Sequence, residues 1–448
     1  MKKHLLFLLF GALTQLTFAQ SLTLVNEVQF DFITNGLGDV GSSDCWGWVA
    51  PDGTDYAIIG NYNSVAFVRA SDGLICDSVP AAALQDGYYH RDMVTYGNYC
   101  YCVSEMAGVN QGLMIFDLSP LPDSVHFVGA WTNNGQMIKS HNLDIDTATA
   151  HIYIEGDGNQ GVDIVSIADP INPVKVGLIF VPGVHDIHAR NDTVWVAEGS
   201  VPAYSVYDCT DKGNPVLLGR VQDNNFGYCH NIWPSDDGKY FFTTEETSFK
   251  SVKVWNATDM NNIVQLGSYL GDNNLAHNVH VMGDYLFISH YTSGVTVVDW
   301  SNPLLPIEVA AYDTYPQNNI PDFYGCWGAF PYTNNNYVYG SNFEGKLFIF
   351  QWDPLGVGIE EEVHLEQGIP YPSVFSSVTN IPLQLEGAEK VEILAFDQSG
   401  RQVAEILKGE LAAGSYVQAW HANGLPAGIY LVDVRVGEQR VVHRVVKQ

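Results

Sequence analysis

The chain is 448 residues long and carries 50 acidic against 20 basic side chains, a net charge of −30, with 46% hydrophobic and 12% aromatic residues. That charge excludes polyanionic partners such as nucleic acid or an anionic membrane surface, and leaves cationic ligands or a plain solvated acidic surface. The excess is uneven: residues 20–368 hold 42 acids and 11 bases, whereas residues from 369 onward hold eight and seven, which places a domain boundary between them.

In chain order, the first element is MKKHLLFLLFGALTQLTFA, with two lysines, a short apolar core and the small residues Thr17 and Ala19 ahead of Gln20. This is the pattern of a secretory signal peptide over residues 1–19. No later apolar run approaches the roughly 20 residues of a membrane-spanning helix, so an exported chain without a transmembrane segment is expected. Seven cysteines (Cys45, Cys76, Cys100, Cys102, Cys209, Cys229, Cys326) include no CxxC pair, which gives no support to a zinc knuckle or a thioredoxin-like site.

From residue 43 a degenerate unit recurs seven times at intervals of about 44–51 residues. Its copies open as SDCWGWVA, YYHRDMVTY, KSHNLDID, GVHDIHAR, YCHNIWP, LAHNVHVM and YGCWGAF, each followed by a second alternating strand. A third strand follows, as in GVDIVSIADPINP or GVTVVDWSNPLLP, and a fourth such as VKVGLIF or VLLGRVQ. Period-two apolar alternation, β-branched and aromatic enrichment and Gly/Pro/Asn turns predict four strands per unit, the blade of a β-propeller. The seventh unit lacks a fourth strand, and LTLVNEVQFD (residues 22–31) resembles one, so the N-terminal strand is expected to close the ring and cover its edges. The fold class is therefore all-β: a seven-bladed propeller over residues 20–353, a linker over 354–368 and a small Ig-like β-sandwich over 369–448.

The third-strand pattern GVDIVSIADPINPVKVG resembles the LVIVD repeat, and the propeller as a whole resembles the choice-of-anchor B family of bacterial surface and secreted proteins. That resemblance implies an architecture and an address but no common activity. In the C-terminal unit, YPSVF, FDQSGRQV, LPAGIYLVDVRVG and the basic terminus VVHRVVKQ resemble the type A sorting domain of the type IX secretion system of Bacteroidetes. The resemblance implies that residues 369–448 engage the type IX machinery, and that the propeller ends up secreted or attached at the outer-membrane surface, facing an extracellular ligand of unknown identity. His421 and His443 within this unit are expected at its surface.

No GxSxG, P-loop, HExxH or Rossmann glycine pattern occurs. Chemistry is instead carried by position. Aligning the units puts His90, His141, His185, His230 and His277 at the start of the innermost strand, with Cys45 and Cys326 there in units one and seven. A second position, the end of the second strand, holds Glu105, Glu155, Glu198, Glu245 and His290. In a propeller both positions face the mouth of the central channel, so these residues are the candidate ligand-binding set, and His and Glu are residue types that bind divalent metals and move protons near neutral pH. A divalent metal ion would take a subset of His141, His185, His230, His277, Glu155, Glu198, Glu245 and His290, since one ion takes three or four protein ligands. The alternative is structural, one repeated hydrogen bond per blade. Accordingly the function is read as an exported binding module, with a metal-dependent hydrolase or oxidoreductase as the alternative; whether it is an enzyme stays open.

Smaller expectations complete the reading. His188 and His280 lie three residues past ring histidines, and an odd offset points them to the opposite face. Asn142, Asp186, Asn231 and Asn278 are expected to bond between blades. Cys45 and Cys326, in neighbouring units across the closure, are a disulfide candidate. The segment EGDGNQGVD (Glu155, Asp157, Asn159, Asp163) has oxygen ligands reminiscent of a calcium loop but reads as an ordinary blade turn.

Overall fold

The computed structural model describes residues 20–35, 38–81, 89–156, 161–354, 370–372, 374–385, 387–397, 401–437 and 439–448. The predicted signal peptide, nearly all of the predicted linker, and Asp157 and Asn159 lie outside the described residues. Regular structure among the described residues is all strand, and no helix is long and apolar enough to cross a membrane. Two compact units result, Ser21–Pro354 and a second that contains the C-terminal strands.

The first unit contains seven four-stranded antiparallel sheets, six of them built in simple chain order. Blade 5, for example, is Cys229–Pro234, Tyr240–Glu245, Val252–Asn256 and Val264–Tyr269. The seventh is the expected exception: Ser21–Gln29 pairs antiparallel with Lys346–Asp353, from Ser21 opposite Asp353 to Gln29 opposite Lys346. Buried Leu22 of that strand joins Phe287, Val297 and Phe350 between blades 6 and 7, and buried Val28 joins Ile59, Val68 and Ile349 between blades 7 and 1. One strand thus seals both seams at the point where the chain ends would otherwise leave an edge.

Apolar alternation puts one face of each sheet against the preceding blade and the other against the next, so the core is divided among the seams. The cluster of Ile164, Val162, Ile187 and Val196 belongs to blades 3 and 4, and that of Phe242, Val254, Val279 and Ile288 to blades 5 and 6. Two repeated devices hold neighbours in step. Fourth strands pair through a β-bulge at the same place in blades 3, 4 and 6, between Ile164/Val165, Val206/Tyr207 and Val297/Val298, which increases their twist. The glycine in VKVGLIF, VLLGRVQ and VQLGSYL makes room for the next blade: a Cβ on Gly177 would lie 1.8 Å from the Lys212 carbonyl, and one on Gly219 2.5 Å from that of Met260.

The C-terminal unit has a five-stranded sheet (Val374–Phe375, Gln439–Lys447, Gly428–Val436, Glu389–Asp397, Gln402–Leu411) and a two-stranded one (Val378–Leu385 with Gly414–His421). Ile381, Leu383 and Trp420 from the small sheet pack with Ile393, Val432 and Val445 from the large one, the arrangement of a sandwich. His421 is exposed.

Candidate functional site at the channel mouth

Each blade's first strand enters the channel at one end, and its opening residues meet there. The imidazoles of His90, His141, His185, His230 and His277 form a chain of ring contacts with centroids 5.6, 4.4, 4.1 and 4.2 Å apart. The indole of Trp327 closes the chain, 4.2 Å from both His277 and His90. Trp327, not Cys326, therefore holds the ring position in blade 7. The register explains the difference: Cys229 and Cys326 precede a bulge at which His230 and Trp327 are the extra residues. In blade 1 the strand pairs from Ser42 and resumes at Cys45 after a register shift, so Cys45 falls past the mouth and is buried between blades 1 and 7. Cys45 and Cys326 are separate buried thiols, so the expected disulfide is absent. Cys45 packs in the seam between blades 7 and 1 and Cys326 in that between blades 6 and 7, so the two thiols belong to different seams.

The residues after the ring bond between blades. The side-chain carbonyl of Asn142 accepts the Ile187 N–H at 3.0 Å, and that of Asn231 accepts the Val279 N–H at 3.2 Å. Their amides donate to Asp92 at 2.7 Å and Asp186 at 2.9 Å. In blade 2 the corresponding residue is Asp92, which accepts the Leu143 N–H; there one extra residue, the buried Arg91, separates it from the ring histidine. A deeper layer follows, in which Trp233 lies 4.0 Å from His188 and 4.3 Å from His280, with Tyr332 stacked on it at 5.9 Å. His188 and His280 are thus packed among aromatics away from the mouth.

The expected second ring does not converge as one set. Taking Leu143, Ile187, Ile232 and Val279 as equivalent, their partners are Ile154, Val196, Thr243 and Ile288. Glu155 is then one residue past the partner, while Glu198, Glu245 and His290 are two past. A one-residue slip on a strand turns the side chain to the other face. Glu198 accordingly makes a paired contact with Arg220 at 2.7 and 2.6 Å. Glu245 meets Lys253 and the Gly227 N–H, and His290 lies against Gly271 and Tyr269. None of these three reaches the ring imidazoles.

Carboxylates that do reach them are Glu105, Glu155, Asp186 and one that the sequence reading missed, Glu246. Glu105 lies 2.7 Å from His90 Nδ1 and 3.4 Å from His141 Nδ1. Glu155 accepts the His141 backbone N–H at 2.9 Å. His185 Nδ1 donates to Asp186 at 2.9 Å, and Glu246 lies 3.9 Å from His230 Nε2 and accepts the Tyr291 hydroxyl. Glu246 stands directly after Glu245 in EETS, so the adjacent pair was the available signal: of two consecutive strand residues, one faces inward.

Burial and these charges set the protonation states. Burial would lower His141, but Glu105, followed by Glu155 and Asp186, outweighs it and raises the imidazole to about 10. For His277 burial prevails over Asp186 and the Trp327 carbonyl and pushes the imidazole down to about 3; burial also takes His230 well below its ordinary value. Burial raises Glu155 and Glu246 to about 7. Asp44 also rises to about 7, chiefly by burial, and Asp92 goes well above the carboxylate range by burial and the nearby Asp44. The mouth therefore holds one cationic imidazole among neutral ones and carboxylates poised between charge states. Asp44, Asp92, Asp186, His141, His230 and His277 help enclose a cavity of about 10 Å³, on the order of a single water site. Three groupings there bring His and carboxylate ligand atoms within 4.8 Å of one another: His141–His185–Asp186–His230, His90–Glu105–His141 and His230–Glu246–His277.

Comparison with known proteins agrees with this architecture. The family model for the LVIVD repeat matches residues 275–314, which is blade 6 from its ring histidine through its fourth strand. Among solved structures, the crystal structure of RRP9 WD40 repeats is similar with a TM-score of 0.52 at 9% identity, covering 74% of this chain and 99% of that one. At that identity the likeness concerns the fold alone. No curated protein matches the chain.

Proposed function

We propose that this β-propeller repeat protein is exported and acts as a binding module, presenting the loop face around the histidine mouth to an extracellular partner. The cavity at the mouth is too small for an organic ligand, so a larger partner has to sit on the surrounding loops. Loops of that face carry Val109, Phe180 and Phe249 at 72%, 83% and 71% exposure. Phe249 carries the reading: it is held at φ +66° while its ring projects into solvent, a conformation unfavourable for a bulky residue and tethered by its N–H to the Asn274 carbonyl. An exposed aromatic kept in a costly backbone state is what a recognition loop requires, and a functional reason is the economical one.

Export rests on the residue 1–19 pattern and on the likeness of residues 369–448 to a type IX sorting domain; the choice-of-anchor B resemblance supports the same address. Removing residues 370–448 should retain the propeller inside the cell, and undiminished appearance outside would refute the route. The partner face is tested by placing a photoreactive phenylalanine analogue at position 180 or 249, with positions 171 and 304 on the opposite face as controls. A discrete adduct from the first pair alone is expected; equal labelling from both faces, or none, overturns the reading. A metal-dependent hydrolase or oxidoreductase is the second reading, favoured by the three His–carboxylate groupings at the mouth.

A further inference from the structure

We infer that His230, Glu246 and His277 form a site for one divalent transition-metal ion of the zinc type. Their ligand atoms already lie within 4.8 Å of one another, with His230 Nε2 3.9 Å from Glu246 Oε1. Bonds of about 2.0–2.2 Å around a tetrahedral ion put ligand atoms roughly 3.3–3.6 Å apart, so closure asks for a contraction of about an ångström. Two imidazoles and a carboxylate with a fourth position open is the donor set of a catalytic zinc site, whereas calcium and magnesium prefer oxygen throughout. The one-water cavity adjoins His230 and His277, where that fourth ligand would be.

His277 and Glu246 are oriented from behind, and His230 has a carboxylate near its other nitrogen. His277 Nδ1 donates to the Trp327 carbonyl at 2.6 Å, which leaves the lone pair on Nε2. That Nε2 is buried in a residue only 1% exposed and has no hydrogen-bond partner. His230, equally buried, has Asp186 Oδ2 3.5 Å from its other nitrogen, the place of a carboxylate that orients a ligating imidazole. Glu246 accepts from Tyr291, whose backbone is itself held at φ +42°. Glu246 keeps a side-chain exposure of 15%, which gives an ion its approach. The neighbouring grouping is less suited, because its donors are already engaged: His185 with Asp186, Asp186 with Asn231, and His141 with Glu105.

The site is independent of the loop-face reading and is tested without a partner. The full untagged chain, stripped with a chelator, is titrated with Zn²⁺ by calorimetry and with Co²⁺ by visible absorption. One equivalent is expected, with Co²⁺ bands of tetrahedral intensity. His277→Gln and Glu246→Gln should each weaken binding at least about a hundredfold, and Tyr291→Phe, an outer-shell change, about ten- to a hundredfold. His126→Gln, on the outer strand of blade 2, should bind as the parent does. Glu246→Gln, isosteric and partly solvated, remains decisive should His277→Gln fail to fold. No stoichiometric uptake by the parent chain overturns the inference, and so does uptake that survives both ligand changes but is lost in His141→Gln or His185→Gln.

Discussion

At the mouth of the channel, imidazoles alternate with Glu105, Asp186 and Glu246; one layer deeper, His188 and His280 lie against Trp233 and Tyr332, with the Asp144 carboxylate 2.9 Å from His188. Both layers are buried, and both contain histidines depressed by burial, to about 3 for His277 and about 3 for His280. Only the mouth contains an imidazole raised instead, His141, because only there do carboxylates outweigh desolvation. Burial alone makes a histidine an aromatic packing unit. One carboxylate beside it is not enough, since His90 and His185 stay depressed next to Glu105 and Asp186; His141 rises because Glu105, Glu155 and Asp186 converge on it.

The largest expected effect that separates the layers is mechanical. Trp233→Ala removes an indole packed on His188, His280 and Tyr332 and should cost about 3–5 kcal/mol, read from urea unfolding. His185→Ala at the mouth leaves Asp186 bonded to Asn231 and should cost under about 2 kcal/mol. Equal losses would erase the distinction.

Another effect is in the pH dependence, where His141 at the mouth and His280 in the deeper layer differ in sign. His280 has its native value near 3 against 6.5 unfolded, so the unfolded chain binds the extra proton. Stability should fall as pH drops from 6.5 toward 3, by up to about 1.4 kcal/mol per pH unit for such a histidine, and His280→Phe should flatten that limb. His141, native near 10 against 6.5, contributes fully below pH 6.5 and loses that contribution as pH rises to about 10. His141→Gln should therefore flatten the alkaline limb in thermal melts. An unchanged alkaline limb would mean that Glu105 does not hold the proton there.

The blades were legible because four alternating strands and their turns recur, and because LTLVNEVQFD matched the strand missing from the seventh unit. The five ring histidines were legible for the same reason. What the alignment merged were registers: Glu155, Glu198 and Glu246 sit one, two and three residues past corresponding strand partners, and in blade 2 Arg91 adds a residue before Asp92. Spacing in the sequence does not reveal which strand carries a bulge, and one residue decides whether a carboxylate meets an imidazole or an arginine.

The sequence by itself determined the number of blades, the N-terminal closure and which histidines share the channel, since period and repeat follow from local strand geometry and from the need to bury each sheet's two faces. Only the tertiary structure decided that Trp327 completes the ring, that Glu198, Glu245 and His290 turn away from it and that Glu246 faces it. Those outcomes depend on strand register and on charges brought together from different blades, and neither is a property of any one segment.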